Sequence, residues 1–166
     1  MATYYRHARA CIFPPGVAPY VQRSTAWLAE PLGQAWWWAW HRIGVEYREK
    51  LLMNWWWRWA YRQEPLRVEI LPATWSERDG EPHAAYCDAP RSRIIFDARV
   101  CRGLSHWRLQ EAVAHELGHL ALWTRGADRG GDEEELDVGR LCKSWGFEVP
   151  WWDGWMAERQ ARRRNR

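Results

Sequence analysis

The sequence predicts an α+β fold on three observations. A helical period rich in tryptophan starts at residue 34, three short strand-like runs lie between residues 67 and 96, and two helical runs follow residue 104. Before them, Pro14, Pro15, Gly16, Pro19, Pro31 and Gly33 predict an irregular lead-in over residues 1–33, with one short helix at about 24–30. In the Trp-rich segment, 34–64, Trp36, Trp40, Ile43, Tyr47, Leu51, Trp55 and Trp59 recur at steps of three and four. Arg42–Glu46 and Glu46–Lys50 are opposite-charge pairs one turn apart, which support the same helix. Gly44 is a point where it can kink or split, and Glu64-Pro65 ends it, because a residue before proline is driven out of the α region. Residues 67–71, 84–87 and 93–96 read as strands, and Asp79-Gly80 and 88–92 as turns. Ser105 caps a helix running to about Trp123, with Leu109, Val113, Leu117 and Leu120 on its apolar side. Asp132 opens a last helix that runs through Trp145, its first turn acidic as the helix dipole favours, and Gly146 stops it.

A chain of 166 residues with a net charge of +3 is one domain with a substantial core. From residue 155 to the end there are five Arg and one Glu, so the basic character is local to the tail and the rest of the chain stands at −1. Such a tail is a weak pointer to nucleic acid. Cys11, Cys87, Cys101 and Cys142 have no CxxC spacing, which excludes a zinc ribbon and gives no disulfide framework. No apolar stretch long enough for a secretory signal or a membrane span is present, so a cytoplasmic protein without a transmembrane segment is expected. Of the sixteen tryptophans, eleven gather at 36–40, 55–59 and 151–155. Trp37, Trp38, Trp56 and Trp57 widen the apolar arc of the Trp-rich helix beyond one core face, which predicts a contact with a second copy or a partner.

The chemistry is carried by His115-Glu116-Leu117-Gly118-His119. On a helix the two histidines lie on one face, one turn apart, where both imidazoles reach one metal ion. Glu116 sits beside that face, placed to take a proton from an attacking water and return it to a leaving amine. Gly118 permits close approach of a neighbouring element. HExxH fixes only three positions, but here it falls on a capped helix with an apolar face, behind a set of strands. A catalytic zinc needs a third protein ligand and an open position. No histidine follows His119, and Leu122 and Arg125 stand where a histidine-bearing continuation needs glycine and histidine. The acidic run Asp132-Glu133-Glu134-Glu135-Leu136-Asp137 remains.

Together these motifs resemble the ImmA/IrrE-type metallopeptidase domain over about half the chain, from Arg67 to Trp145. The resemblance rests on Ile94-Ile95-Phe96-Asp97, on the HExxH residues and on Glu133-Glu134-Glu135-Leu136-Asp137. It departs from the family at Leu136 and at Cys142-Lys143-Ser144-Trp145. It implies a minimal, gluzincin-like zincin fold: the Trp-rich helix (34–64) backing a small three-stranded sheet within a core at 65–150, and a Trp/Arg-rich tail at 151–166. It implies Zn²⁺ held by His115, His119 and Glu133, with Glu116 as the base and Asp137 orienting a ligand from outside. Glu134 and Glu135 carry the same chemistry as Glu133 and stay open as the third ligand. The implied activity is hydrolysis of a peptide bond in a protein substrate, such as a transcriptional regulator, and the substrate would lie along an edge strand, for which 93–96 is the candidate. Tyr86 and His83 are candidates for stabilising the oxyanion. Two alternatives use the same residues: a non-catalytic zinc-binding module that contacts partners through its Trp-rich surface, and a zinc amidase.

Overall fold

The computed structural model describes residues 4–6, 17–51, 66–73, 83–127, 129–148 and 161. They form an α+β fold around one five-stranded sheet. Its strands are β1 (Tyr4–Arg6), β2 (Val17–Gln22), β3 (Leu66–Leu71), β4 (Ala85–Asp88) and β5 (Arg93–Asp97), in the order β1-β2-β3-β5-β4. The helices are α1 (Ala26–Arg42), the single turn α2 (Ala98–Cys101), α3 (His106–Thr124) and α4 (Gly131–Ser144). No helix among the described residues is long and apolar enough to cross a membrane.

The centre of the sheet is parallel. β3 pairs with β2 on one side and β5 on the other, with Val68 opposite Ile94 and Ile70 opposite Phe96. Strand side chains alternate between faces, so Leu66, Val68, Ile70, Ile94 and Phe96 share one fully buried face, while Arg67, Glu69 and Ile95 on the other are only half-buried. α1 packs against β2 and α3, and α3 against β4 and α4, which covers the buried face with helices. Each fully buried side chain of this size contributes about 1.5–3 kcal/mol.

Two expectations need correcting. The described part of the lead-in, 4–6 and 17–33, is not irregular: β1 and β2 extend the sheet from three strands to five, and α1 starts at Ala26. Pro19 obscured β2 in the sequence, and Pro31 hid the helix by falling in its second turn, where proline removes one hydrogen bond. The helix persists because Leu28, Leu32, Ala35, Trp36 and Ala39 repeat on one buried face. The Trp-rich segment splits at Gly44, one of the two outcomes its sequence allowed. α1 ends at Arg42, Ile43 is extended (φ −60°, ψ 134°), and residues 45–51 resume as a second helix whose first N–H groups bond the Gly44 carbonyl. Trp36 and Trp40 enter the core as their period predicts, and Trp37 and Trp38 stay exposed. Trp55–Trp57, Trp59 and the 151–166 segment apart from Ala161 lie outside the described residues. The other correction concerns the edge: residues 93–96 are internal, flanked by β3 and β4, and among the described residues the sheet ends at β1 and β4.

α3 begins as expected, with the Ser105 hydroxyl accepting the Arg108 N–H at 3.3 Å. The buried Asp97 does the same at the end of β5, accepting the N–H groups of Arg99 and Val100 to turn the chain into α2. α3 and α4 meet at Gly118. A Cβ there would lie 2.8 Å from Cγ1 of Val138, a β-branched side chain with few rotamers to retreat into. Gly118→Ala is therefore expected to force the helices apart at a cost of about 1–3 kcal/mol. Urea unfolding measures this, and Val138→Ala in the same chain should recover part of the loss.

Candidate metal centre

His115 and His119 are one turn apart on α3, with side chains 12% and 14% exposed. Their Nε2 atoms approach to 3.2 Å. Two imidazole nitrogens this close, facing the same point, form two corners of a ligand set.

α4 supplies the third corner. Glu135 brings Oε2 to 3.1 Å from His115 Nε2 and Oε1 to 3.4 Å from His119 Nε2. One ligand atom each from His115, His119 and Glu135 lies within 4.8 Å of the others, and this group can hold a metal ion. The Glu135 carboxyl is held well below the usual carboxylate range: burial alone would raise it, but the hydrogen-bonded imidazoles of His115 and His119 outweigh burial.

Glu134, one position earlier, takes a different part. Its Oε1 accepts from His119 Nδ1 at 2.6 Å, and its Oε2 accepts the Gly130 N–H at 2.8 Å. The Nδ1–H bond fixes the ring and turns Nε2 towards Glu135. Glu134 is lowered by that His119 bond first, against burial, and the Gly130 N–H adds to the effect. Burial would depress His119, but Glu134 and Glu135 overcome it and push the imidazole up to about 10.

Glu133 and Asp137 do not take the places the resemblance implied. Glu133 is 70% exposed and faces Arg129 at 3.8 Å, and Asp137 pairs with Arg140 at 3.0 Å on the outer side of α4. The reason is helical phase. Residues 133, 137, 140 and 144 form one polar stripe, whereas 134 and 135 share the face of Val138, Leu141 and Cys142, which are buried. That apolar stripe was the signal in the sequence that selects Glu134 and Glu135 over Glu133.

Glu116 is brought to the site without joining the ligand group. It is 5% exposed, and its carboxyl is pushed up by burial, opposed by the charges of His115 and His119. A carboxyl held in this way beside a metal centre is suited to receive and release a proton.

Two outcomes test the centre. Glu135→Ala should abolish stoichiometric metal binding in elemental analysis, whereas Glu133→Ala should retain it; the reverse result would move the ligand. Because His119 is protonated up to about pH 10 in the metal-free protein, metal must displace a proton. Affinity should therefore rise with pH, roughly tenfold per unit per proton displaced, and fall as the solution is acidified. Metal titrations between about pH 6 and 8 read this slope.

No known protein family, curated protein or solved structure matches the chain, so the function of this centre rests on its own geometry.

Proposed function

We propose that the protein is a zinc-dependent metallopeptidase with a minimal zincin-like fold of the ImmA/IrrE type, hydrolysing a peptide bond of a protein substrate. The observation that carries this is a His₂Glu group with a buried, non-ligating carboxyl, Glu116, at its side. Three protein ligands that leave a position open are the mark of catalytic rather than structural zinc.

The residues fit that ion. A tetrahedron of zinc–nitrogen and zinc–oxygen bonds of about 2.0–2.1 Å has edges of about 3.3–3.4 Å. His115 Nε2 and His119 Nε2 are 3.2 Å apart, close to such an edge, and Glu135 reaches the first with Oε2 at 3.1 Å and the second with Oε1 at 3.4 Å, so that one donor atom from each residue lies within 4.8 Å of the others. Imidazole nitrogen and carboxylate oxygen are both ordinary zinc donors. When bound, zinc supplies Lewis acidity, which lowers the pKa of water to about 7 and polarises a carbonyl. The protein does the rest. Glu116 takes the proton of the attacking water and delivers it to the leaving nitrogen as the peptide bond breaks. Glu134 keeps His119 in the tautomer that presents Nε2. The edge of β4, unpaired among the described residues and beside α3, offers backbone groups to which an extended peptide adds as a further strand. The resemblance extends the substrate class to a regulator protein.

A second reading is supported by the exposure of Trp27, Trp37 and Trp38 along α1: a zinc-binding module that acts by contacting a partner, without catalysis. Glu116→Gln separates the two. Zinc content should stay at one per chain while cleavage of a mixed-sequence, fluorescence-quenched peptide library falls by about 10²–10⁴-fold. An unchanged rate, or no cleavage by the zinc-loaded wild type, would count against the peptidase.

A further inference from the structure

We propose that the exposed face of α1 docks the protein onto an anionic lipid bilayer, with its tryptophans among the headgroups and Arg42 and Arg102 at the lipid phosphates. The inference stands apart from the metal centre and from the peptidase reading.

One face of α1 is core: Leu28, Leu32, Ala35, Trp36 and Ala39 are buried where the helix meets β2 and α3. The opposite face carries Trp27, Trp37 and Trp38, which are 42%, 52% and 55% exposed. Trp27 and Trp38 are eleven residues apart, three helical turns, so they point the same way along about 16 Å of helix. Two contacts show what borders them. The Arg102 guanidinium, just past α2, lies over the Trp27 ring at 5.2 Å. Arg42, at the other end of α1, lies over the ring of Trp107 on α3 at 4.7 Å. Trp107 is itself 37% exposed. The exposed indoles therefore belong to one surface, with a stacked cation at each end of the helix.

Charge selects the occupant. Glu30 is the only acid among the exposed residues of α1, whereas Arg42 lies on the helix and Arg23 and Arg102 flank it, all exposed. Arg42 gives one N–H to the Gly146 carbonyl at 3.2 Å, and neither Arg42 nor Arg102 forms a salt bridge among the described residues. A guanidinium has five N–H donors, so both keep donors for phosphate oxygens. A second copy in a closed dimer would meet this surface with the same surface and set arginines against arginines. Single-stranded nucleic acid stacks its bases on open aromatic faces. Here Arg102 covers a face of Trp27 and Arg42 a face of Trp107. His41, whose Nδ1–H donates to the Trp37 carbonyl at 2.8 Å, sits 3.9 Å from the Trp37 ring. A bilayer interface needs no open ring face: indoles settle at headgroup depth, and the arginines beside them meet anionic lipid. No described helix is long and apolar enough to cross, so α1 lies along the surface.

The full chain is sedimented with vesicles of phosphatidylcholine, with or without roughly one third phosphatidylglycerol. Wild type should bind the anionic vesicles at least about tenfold more tightly than the neutral ones. Because the chain also ends in a basic run, variants of α1 decide the matter. Trp27→Ala with Trp38→Ala should weaken binding by about 100-fold, roughly tenfold for each ring withdrawn from the interface. Glu30→Lys, which removes the one acid, should strengthen it by about fivefold or more. Both changes fall on exposed side chains, so urea midpoints should stay at the wild-type value; if the double variant unfolds, the gain in Glu30→Lys decides alone. A double variant that is folded and binds as the wild type does would assign the binding to the basic end and overturn the proposal. So would an unchanged affinity in Glu30→Lys, or wild type that ignores anionic vesicles. Two further results would hand the face to another occupant: a dimer, or retention of oligothymidylate, that the double variant loses while vesicles are not bound.

Discussion

The candidate metal centre depends on how closely α3 and α4 approach. Gly118 has no side chain, and Val138 occupies the space a Cβ would need. Val138 follows Glu134 and Glu135 by four and three residues, so the contact that seats Val138 against Gly118 also sets both carboxylates one turn earlier, opposite His119 and His115. A wider gap would leave two histidines on a helix surface without a third ligand. Packing and ligation are thus one constraint: the apolar contact fixes the register, and the register fixes the ligand.

Electrostatics then divide the carboxylates by role. Glu134 and Glu135 are partly buried yet stay ionised, because imidazoles and a backbone N–H stand in for lost water. Glu116 is buried more deeply, and burial pushes it the other way, opposed by the same histidines. Three glutamates around the same two histidines thereby stand in different electrostatic states. The distinction lies in what surrounds each carboxyl, since their intrinsic chemistry is identical. The sheet contributes by holding β4 next to α3 as an end strand among the described residues, with the Asp97 N–H bonding the Ala84 carbonyl at its start.

Much of this was legible in local patterns. Leu109, Val113, Leu117 and Leu120 place α3, Ser105 caps it, and the i,i+4 spacing puts both histidines on one face, because a helix of 3.6 residues per turn fixes such neighbours regardless of what lies around it. The alternation from Arg67 to Leu71 marks β3 equally well, and Gly146, at φ 81°, closes α4 as glycine after a helix does. Less visible were β2, whose Pro19 argues against a strand when read alone, and α1 across Pro31. In both cases non-local contacts outweigh local preference: pairing with β3 for one, and burial of Leu28, Leu32 and Trp36 for the other.

The sequence by itself determined that two histidines and a flanking glutamate share one helix, that the protein is α+β, and that an acidic run after residue 131 offers further carboxylates. Only the tertiary structure decided that Glu135 rather than Glu133 stands with the two histidines, that Glu134 bonds His119, and that β4 rather than β5 ends the sheet beside α3. The physical reason is range. Spacing within a helix is set by its own hydrogen bonds, whereas the phase of one helix against another, and the order of strands in a sheet, are set by contacts between residues far apart in the chain.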